Sequence, residues 1–206
     1  MRKNIIYGLL LVVAALFAGC ESRLDIEKHG NMGDQNDFYQ TDEQTEQAVA
    51  SMYSSLKGLY FNWFFTKNVL SDDVWCGGGQ RGDNTSLEQL NEYTYGTDNG
   101  MIQGVFSGLY GLIYQSNLVI EKVADDTPAK KRAIAEAKFF RAWANFELVT
   151  LWGTAPLVDH LLEPGEYRQG NSTPEALWAA VESDLNDAIS MNALPSKKNK
   201  DDQETG

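Results

Sequence analysis

Four stretches of the chain place apolar residues at steps of three and four, the period of a helix with one buried face. The first holds Ala48, Met52, Leu56 and Leu59; the second holds Ile102, Val105, Phe106, Leu109, Leu112, Ile113, Val119, Ile120 and Val123. The third runs through Ile134, Ala137, Phe140, Ala144, Leu148 and Leu151, and the fourth through Leu177, Val181, Leu185, Ala188 and Ile189. Start and stop residues frame these stripes. Thr41-Asp42-Glu43-Gln44 fits a capping box, in which the threonine oxygen takes an orphan amide and the glutamine reaches back. Thr127-Pro128 and Thr173-Pro174 each set an N-cap before a proline at the first helical position. Gly58 reads as a stop for the first helix, with Leu59–Phe65 as a further turn or short helix. Gly153 ends the third helix ahead of Pro156, and residues 192–195 close the fourth.

No segment alternates with a period of two, although Leu157-Val158 after Pro156 suits a bridge or short strand. The pattern therefore predicts an all-α chain of antiparallel helix pairs joined by short loops. One connection departs from that rule. Roughly forty residues with little helical signal lie between the first two main helices, and a loop of that length is usually functional or disordered. This one carries Trp63, Trp75, Tyr93 and Tyr95, which argues for order. Gly104, Gly108 and Gly111 inside the second helix each cost about 1 kcal/mol relative to alanine, and close helix–helix approach is the expected return.

The two ends have a different character. Arg2 and Lys3 precede an apolar run from Ile5 to Phe17, a length suited to a signal peptide and short for a membrane span. The run ends in Leu16-Phe17-Ala18-Gly19-Cys20, where small residues beside a cysteine resemble a bacterial lipoprotein signal. Residues 1–19 are thus expected to be a signal peptide and Cys20 the lipidation site. Residues 20–40 read as a polar tether, 41–195 as the helical domain and 196–206 as a charged tail where the chain is truncated. Acyl chains hold such a protein to a membrane by burying methylenes, about 0.8 kcal/mol each.

Charge and composition narrow the chemistry. The 206 residues hold 17 basic and 29 acidic side chains, a formal charge of −12, which removal of residues 1–19 takes to −14. No nucleic-acid partner is expected, because a phosphate backbone requires a basic patch. Two histidines (His29 and His160) and two cysteines leave no zinc site, no disulfide framework and no cofactor in prospect. Asp72-Asp73 is a poor hydrolytic pair, since neighbours in sequence diverge and a glycosidase needs two carboxyls flanking one bond. Cys76 has no histidine near it in sequence to act as its base.

A binding site is the better reading of the long loop. Sugars present apolar CH faces ringed by hydroxyls. An indole supplies a flat platform, and Asp, Asn and Arg take the hydroxyls by directional hydrogen bonds. Trp75 with Arg81, Asp83 and Asn84 offers that combination, and Gly77-Gly78-Gly79 lets the backbone approach and turn. The bland alternative is that Trp75 plugs the scaffold while the polar residues satisfy loop backbone. On the third helix, Phe139, Phe140, Trp143, Phe146 and Trp152 read mostly as core, and Arg141 with Glu136 as a structural ion pair.

The third helix, Ala135-Glu136-Ala137-Lys138-Phe139-Phe140-Arg141-Ala142, continuing to Trp152-Gly153 and Pro156-Leu157, resembles the signature of the SusD/RagB family. Leu109-Tyr110, Ile113 and Asn117-Leu118 in the second helix are similar to another segment of that family. So are Tyr53-Ser54-Ser55-Leu56 in the first, and Ser71-Asp72-Asp73-Val74-Trp75 with its glycines. The resemblance covers nearly the whole chain in order. It implies a tetratricopeptide-like scaffold of which this chain is the N-terminal part, since family members run to more than twice its length. It further implies a lipid-anchored protein at the surface of the outer membrane of a Gram-negative bacterium. Such a protein binds oligosaccharide, sometimes peptide, and passes it to a TonB-dependent transporter barrel without performing a reaction. The family's sugar contacts in this loop carry over to Asp73, Trp75 and Arg81. Two other expectations remain beside it: a docking module without a cargo site, and a glycan-acting hydrolase.

Overall fold

The computed structural model describes residues 38–195. The signal segment, Cys20, His29, most of the tether and the tail from 196 lie outside the described residues. Helix α1 spans Asp42–Val69, α2 Thr85–Asn91, α3 Gly100–Lys122, α4 Pro128–Trp152 and α5 Pro174–Ser190, with a 3₁₀ turn at Pro164–Glu166. The β content among the described residues is an isolated antiparallel bridge between Ala155 and Ser172, two residues before the Leu157-Val158 position anticipated for it.

The helix starts follow the sequence signals. The Gln44 amide donates to Thr41 Oγ1 at 3.2 Å while the Thr41 amide donates to Gln44 Oε1 at 3.1 Å, so the capping box is complete. Thr127 and Thr173 accept from Lys130 and Ala176 ahead of their prolines. Gly153 takes φ 73°, a left-handed conformation that closes α4. Gly58 does not stop α1, which runs on through Leu59–Phe65 as one helix. The reason is tertiary: Leu59 is buried against α3 where Gly108 lacks a side chain, and a Cβ there would lie 2.7 Å from Leu59 Cδ1. At Gly104 a Cβ would lie 2.1 Å from Asn62 Nδ2. These two glycines give the close α1–α3 approach; Gly111 faces open space and does not.

α1 packs on α3 and α4, α3 on α4, and α4 on α5; the connection between α3 and α4 is short, whereas long segments join α1 to α3 and α4 to α5. Met52, Val105, Leu109, Leu112, Ile113, Phe140, Leu148 and Leu177 are buried in one core. Each contributes about 1.5–3 kcal/mol on leaving water. Tyr39, at the end of the segment read as tether, joins that core. On α4 Phe140 is core and Trp143 and Trp152 pack half-buried against it, but Phe139 and Phe146 stand 47% and 37% exposed. Those two sit seven residues apart on a face beside the buried stripe, and Phe146 meets Trp178 of α5 edge-on.

Arg141 does not pair with Glu136. Five residues along a helix turn a side chain about 140° away, so the two point to different faces. Instead the Arg141 Nε and Nη2 groups donate to the two oxygens of Asp184 on α5, each at 2.7 Å. Its Nη1 group donates to Asn117 Oδ1 of α3 at 2.8 Å and to the Asp159 carbonyl at 2.6 Å. One buried guanidinium thus ties α3, α4, α5 and the loop after α4. Trp63, expected in the long loop, lies within α1, where its ring faces Trp143 at 6.1 Å and Lys67 Nζ at 5.0 Å.

Candidate functional site

The connection between α1 and α3 is ordered around a small core of its own. Val69, Leu87, Leu90 and Met101 are buried together, with Phe65, Leu70, Cys76 and Ile102 packed on them. Helix α2 supplies two of the four and divides the long loop in two. Its seven residues make it too short to register as a periodic stripe, but its start is encoded by Asn84, whose side chain accepts the Leu87 amide at 3.2 Å. Asn99 caps α3 and also donates to the Ser86 carbonyl at 3.0 Å and to Gln89 Oε1 at 3.1 Å, fixing α2 against α3. Tyr93, at φ 55°, donates its hydroxyl to the Leu70 carbonyl at 2.6 Å and closes the far side.

Above this base the glycine-rich turn folds on Asp83. The Gly79 and Gln80 amides donate to Asp83 Oδ2 at 2.6 and 3.0 Å. A Cβ at Gly78 would lie 3.1 Å from that same oxygen, so the missing side chain lets the turn close. The Gly82 amide donates to Glu88 Oε1 at 2.7 Å, and the Cys76 amide donates to Asn91 Oδ1. The result is a groove of about 220 Å³ lined by Trp75, Gly77, Gly78, Arg81, Glu88 and Glu92, with Cys76 and Gln80 at its wall.

The five residues expected at the site fall into three roles. Trp75 is 83% exposed and stands free over the groove, the opposite of a plug in the scaffold. Arg81 lines the groove and makes a two-pronged ion pair with Glu92, at 2.7 Å for each prong. Asp83 and Asn84 shape the turn and cap α2, with their carboxylate and amide oxygens engaged by backbone amides. Asp73 is exposed outside the groove, its amide donating to Ser71 Oγ at 3.4 Å. Glu88 and Glu92 were not foreseen. The signal for them was Asn84 four residues before Glu88, with Leu87 and Leu90 between as a buried face.

The electrostatics leave the groove polar and Cys76 inert. Burial first, then the Glu88 and Glu92 carboxylates, push the Cys76 thiol up, so it stays protonated at neutral pH. Hydrogen bonding to Glu92 raises Arg81 further and keeps it charged. Among the described residues no group of three or more His, Cys, Asp or Glu is placed to hold a metal ion. No described helix is long and apolar enough to cross a membrane.

Residues 28–204 match the SusD-like family described as starch-binding and associating with the outer membrane, and the chain belongs to that family. A SusD-like protein of Bacteroides ovatus is 32% identical over an alignment of 164 positions that covers 73% of this chain and 28% of that protein. SusD-like protein P38 of Formosa agariphila is 28% identical over 75% of this chain and 30% of its own length. Among solved structures, a laminarin-binding SusD-like protein superposes with a TM-score of 0.69 at 26% identity, over 80% of this chain and 37% of that one. The surface glycan-binding protein A of Bacteroides uniformis shares the fold, with a TM-score of 0.66 at 23% identity over 80% and 37%. The chain spans roughly a third of the length of the relatives it matches.

Proposed function

We propose that this chain contributes a glycan-binding surface to a cell-surface nutrient-capture protein, and that the groove under Trp75 is where the sugar rests. The observation that carries the reading is the indole standing 83% exposed beside a polar groove. What makes this indole a candidate platform is its place beside a polar groove, since a pyranose CH face is the complement of its ring. Arg81, Glu88 and Glu92 line the same wall and offer donors and acceptors to ring hydroxyls. The 26%-identical laminarin-binding structure supports this class of ligand. Asp83 and Asn84 then act one step back, by holding the turn and α2, and Asp73 belongs to the outer edge.

The rest of the reading follows from the family and the leader. Cys20 carries the lipid, the protein sits on the outer membrane facing outward, and it hands oligosaccharide, or in some cases peptide, to a TonB-dependent transporter barrel. No reaction is assigned to the groove: Glu92 is paired with Arg81 and Glu88 Oε1 holds the Gly82 amide, which gives both acids a structural role there. Affinity electrophoresis of the full chain through laminarin, xyloglucan and starch gels tests the proposal. Retardation in one of them is expected. Trp75→Ala should weaken it about tenfold, roughly 1.4 kcal/mol, with the unfolding midpoint unchanged because the side chain is exposed. Equal retardation of wild type and variant would remove Trp75 from the site.

A second reading has its own support: the chain spans roughly a third of its relatives' length, and two of the four foreseen polar residues, Asp83 and Asn84, are engaged by backbone. There this part of the protein serves to dock on the transporter, and cargo contacts lie elsewhere. Binding to the barrel without retardation on any glycan would favour it.

A further inference from the structure

The charges around Trp75 bear on which glycans the groove can hold. The connection between α1 and α3 carries six acids, Asp72, Asp73, Asp83, Glu88, Glu92 and Asp98, against one base, Arg81. Among the described residues that line the groove, Arg81 is the one cation, beside Glu88 and Glu92. It is already committed: its Nη1 and Nη2 groups each meet a different oxygen of Glu92 at 2.7 Å. Glu88 Oε1 accepts from the Gly82 amide at 2.7 Å, a bond that holds the carboxylate in place without supplying a counter-charge. Asp83 is held in the same way by the Gly79 and Gln80 amides. The negative field reaches the groove wall, where burial first, then Glu88 and Glu92, raise the Cys76 thiol. At about 220 Å³ the groove is smaller than the usual ~300–1,000 Å³ small-molecule site, so a single sugar unit lies against these charges.

On the reading of Trp75 as a sugar platform, we propose that this groove selects neutral glycans and rejects those with a carboxylate or sulfate on the unit stacked there, and that Glu88 and Glu92 set the choice. An anionic sugar reaches Arg81 only by displacing Glu92, which leaves the freed carboxylate facing the incoming one. Glu88 on the same wall adds a second repulsion. Setting like charges against each other is how binding sites suppress wrong partners. A neutral pyranose meets no such penalty: its hydroxyls donate to the Glu88 and Glu92 oxygens and leave the ion pair with Arg81 in place. Because these groups lie at the surface, salt should weaken the discrimination, as the Debye length falls from about 30 Å at 0.01 M to about 3 Å at 1 M.

Indole NMR titrations of the full chain test this with oligosaccharides of laminarin, xyloglucan and starch, each beside its C6-oxidised product. Oxidation keeps the linkages and turns primary alcohols into carboxylates. For a neutral oligosaccharide that moves the Trp75 signal, the oxidised form should bind at least about tenfold more weakly at low salt. The gap should narrow at about 1 M salt. Glu88→Gln combined with Glu92→Gln keeps a carbonyl acceptor at each position and removes both charges, and should bring the two affinities together. The wild-type comparison and the salt series decide the matter should that double variant fail to fold. An oxidised form that binds as tightly as its neutral parent, or more tightly, would overturn the proposal, and so would a gap that survives high salt or the double variant. If no oligosaccharide of either kind moves Trp75, the glycan reading of the groove falls and the charge selection with it.

Discussion

Removing the guanidinium of Arg141 would leave the Asp184 carboxylate buried without a counter-charge, and would strip Asn117 and the Asp159 carbonyl of a donor. Breaking one side of such a pair costs about 3–5 kcal/mol, far more than the pair contributes against an apolar replacement of both partners. Arg141→Met is therefore expected to lower unfolding free energy by that amount in urea titrations, and Arg141→Met with Asp184→Leu to recover most of it. A single variant within about 0.5 kcal/mol of wild type would contradict the burial assigned here. The partner could not be read from the sequence, because Asp184 lies 43 residues away on another helix. A charged pair within one helix, Arg141 with Glu136, was the visible option, and helix geometry excludes it.

His160 sits one turn of loop from that network, exposed, with Nδ1 2.7 Å from Asp159 and Nε2 3.1 Å from Glu166. Hydrogen bonding to Asp159 first, then to Glu166, raises its pKa. The stabilising effect is thus complete below the ordinary histidine value of about 6.5 and is lost as pH rises through the folded value. The two acids move the other way. His160 lowers Asp159, and the Glu163 amide followed by His160 lowers Glu166. Their contribution is present above about pH 4 and is lost as acid protonates them. The clasp should be tightest between those limits. An imidazole titration by NMR should give a midpoint above about 6.5, falling in Asp159→Asn; a midpoint at or below that value would contradict the geometry.

At the scale of elements, local chemistry was legible and tertiary override was not. Thr41, Thr127 and Thr173 announce three helix starts because a cap depends only on residues within one turn. The end of α1 depends on α3, and so Gly58 misled. Its effect on helix propensity is real but is outweighed by the burial of Leu59 and Val69 beyond it. Helix α2 went unseen because seven residues give no period, and with it went Glu88 and Glu92. The glycines of α3 allow a direct comparison. Gly108→Ala should destabilise, because its Cβ meets Leu59 Cδ1 at 2.7 Å, whereas Gly111→Ala meets nothing and should stabilise by about 0.5–1 kcal/mol. Thermal melts of the two variants should shift in opposite directions; shifts of the same sign would mean that the α1–α3 approach is looser than described.

For the molecule as a whole, the helical frame and the family were accessible from periodicity and from the motif on α4, since both reside in contiguous residues. The proposed groove was half accessible. The composition of the loop pointed to Trp75 and Arg81, and both line the groove. It did not show that Asp83 and Asn84 would be used to fold the turn, because that depends on which amides the closed turn presents.

The chain contains five tryptophans, of which Trp63, Trp143, Trp152 and Trp178 lie on the helices and Trp75 on the loop. Their indole N–H groups give five resonances in a tryptophan-labelled sample. Titration with laminarin oligosaccharides and xylogluco-oligosaccharides should move the Trp75 signal with a saturable dependence on one of them while the four helix signals hold still. A saturating response at another indole with Trp75 unmoved would place glycan binding away from this loop.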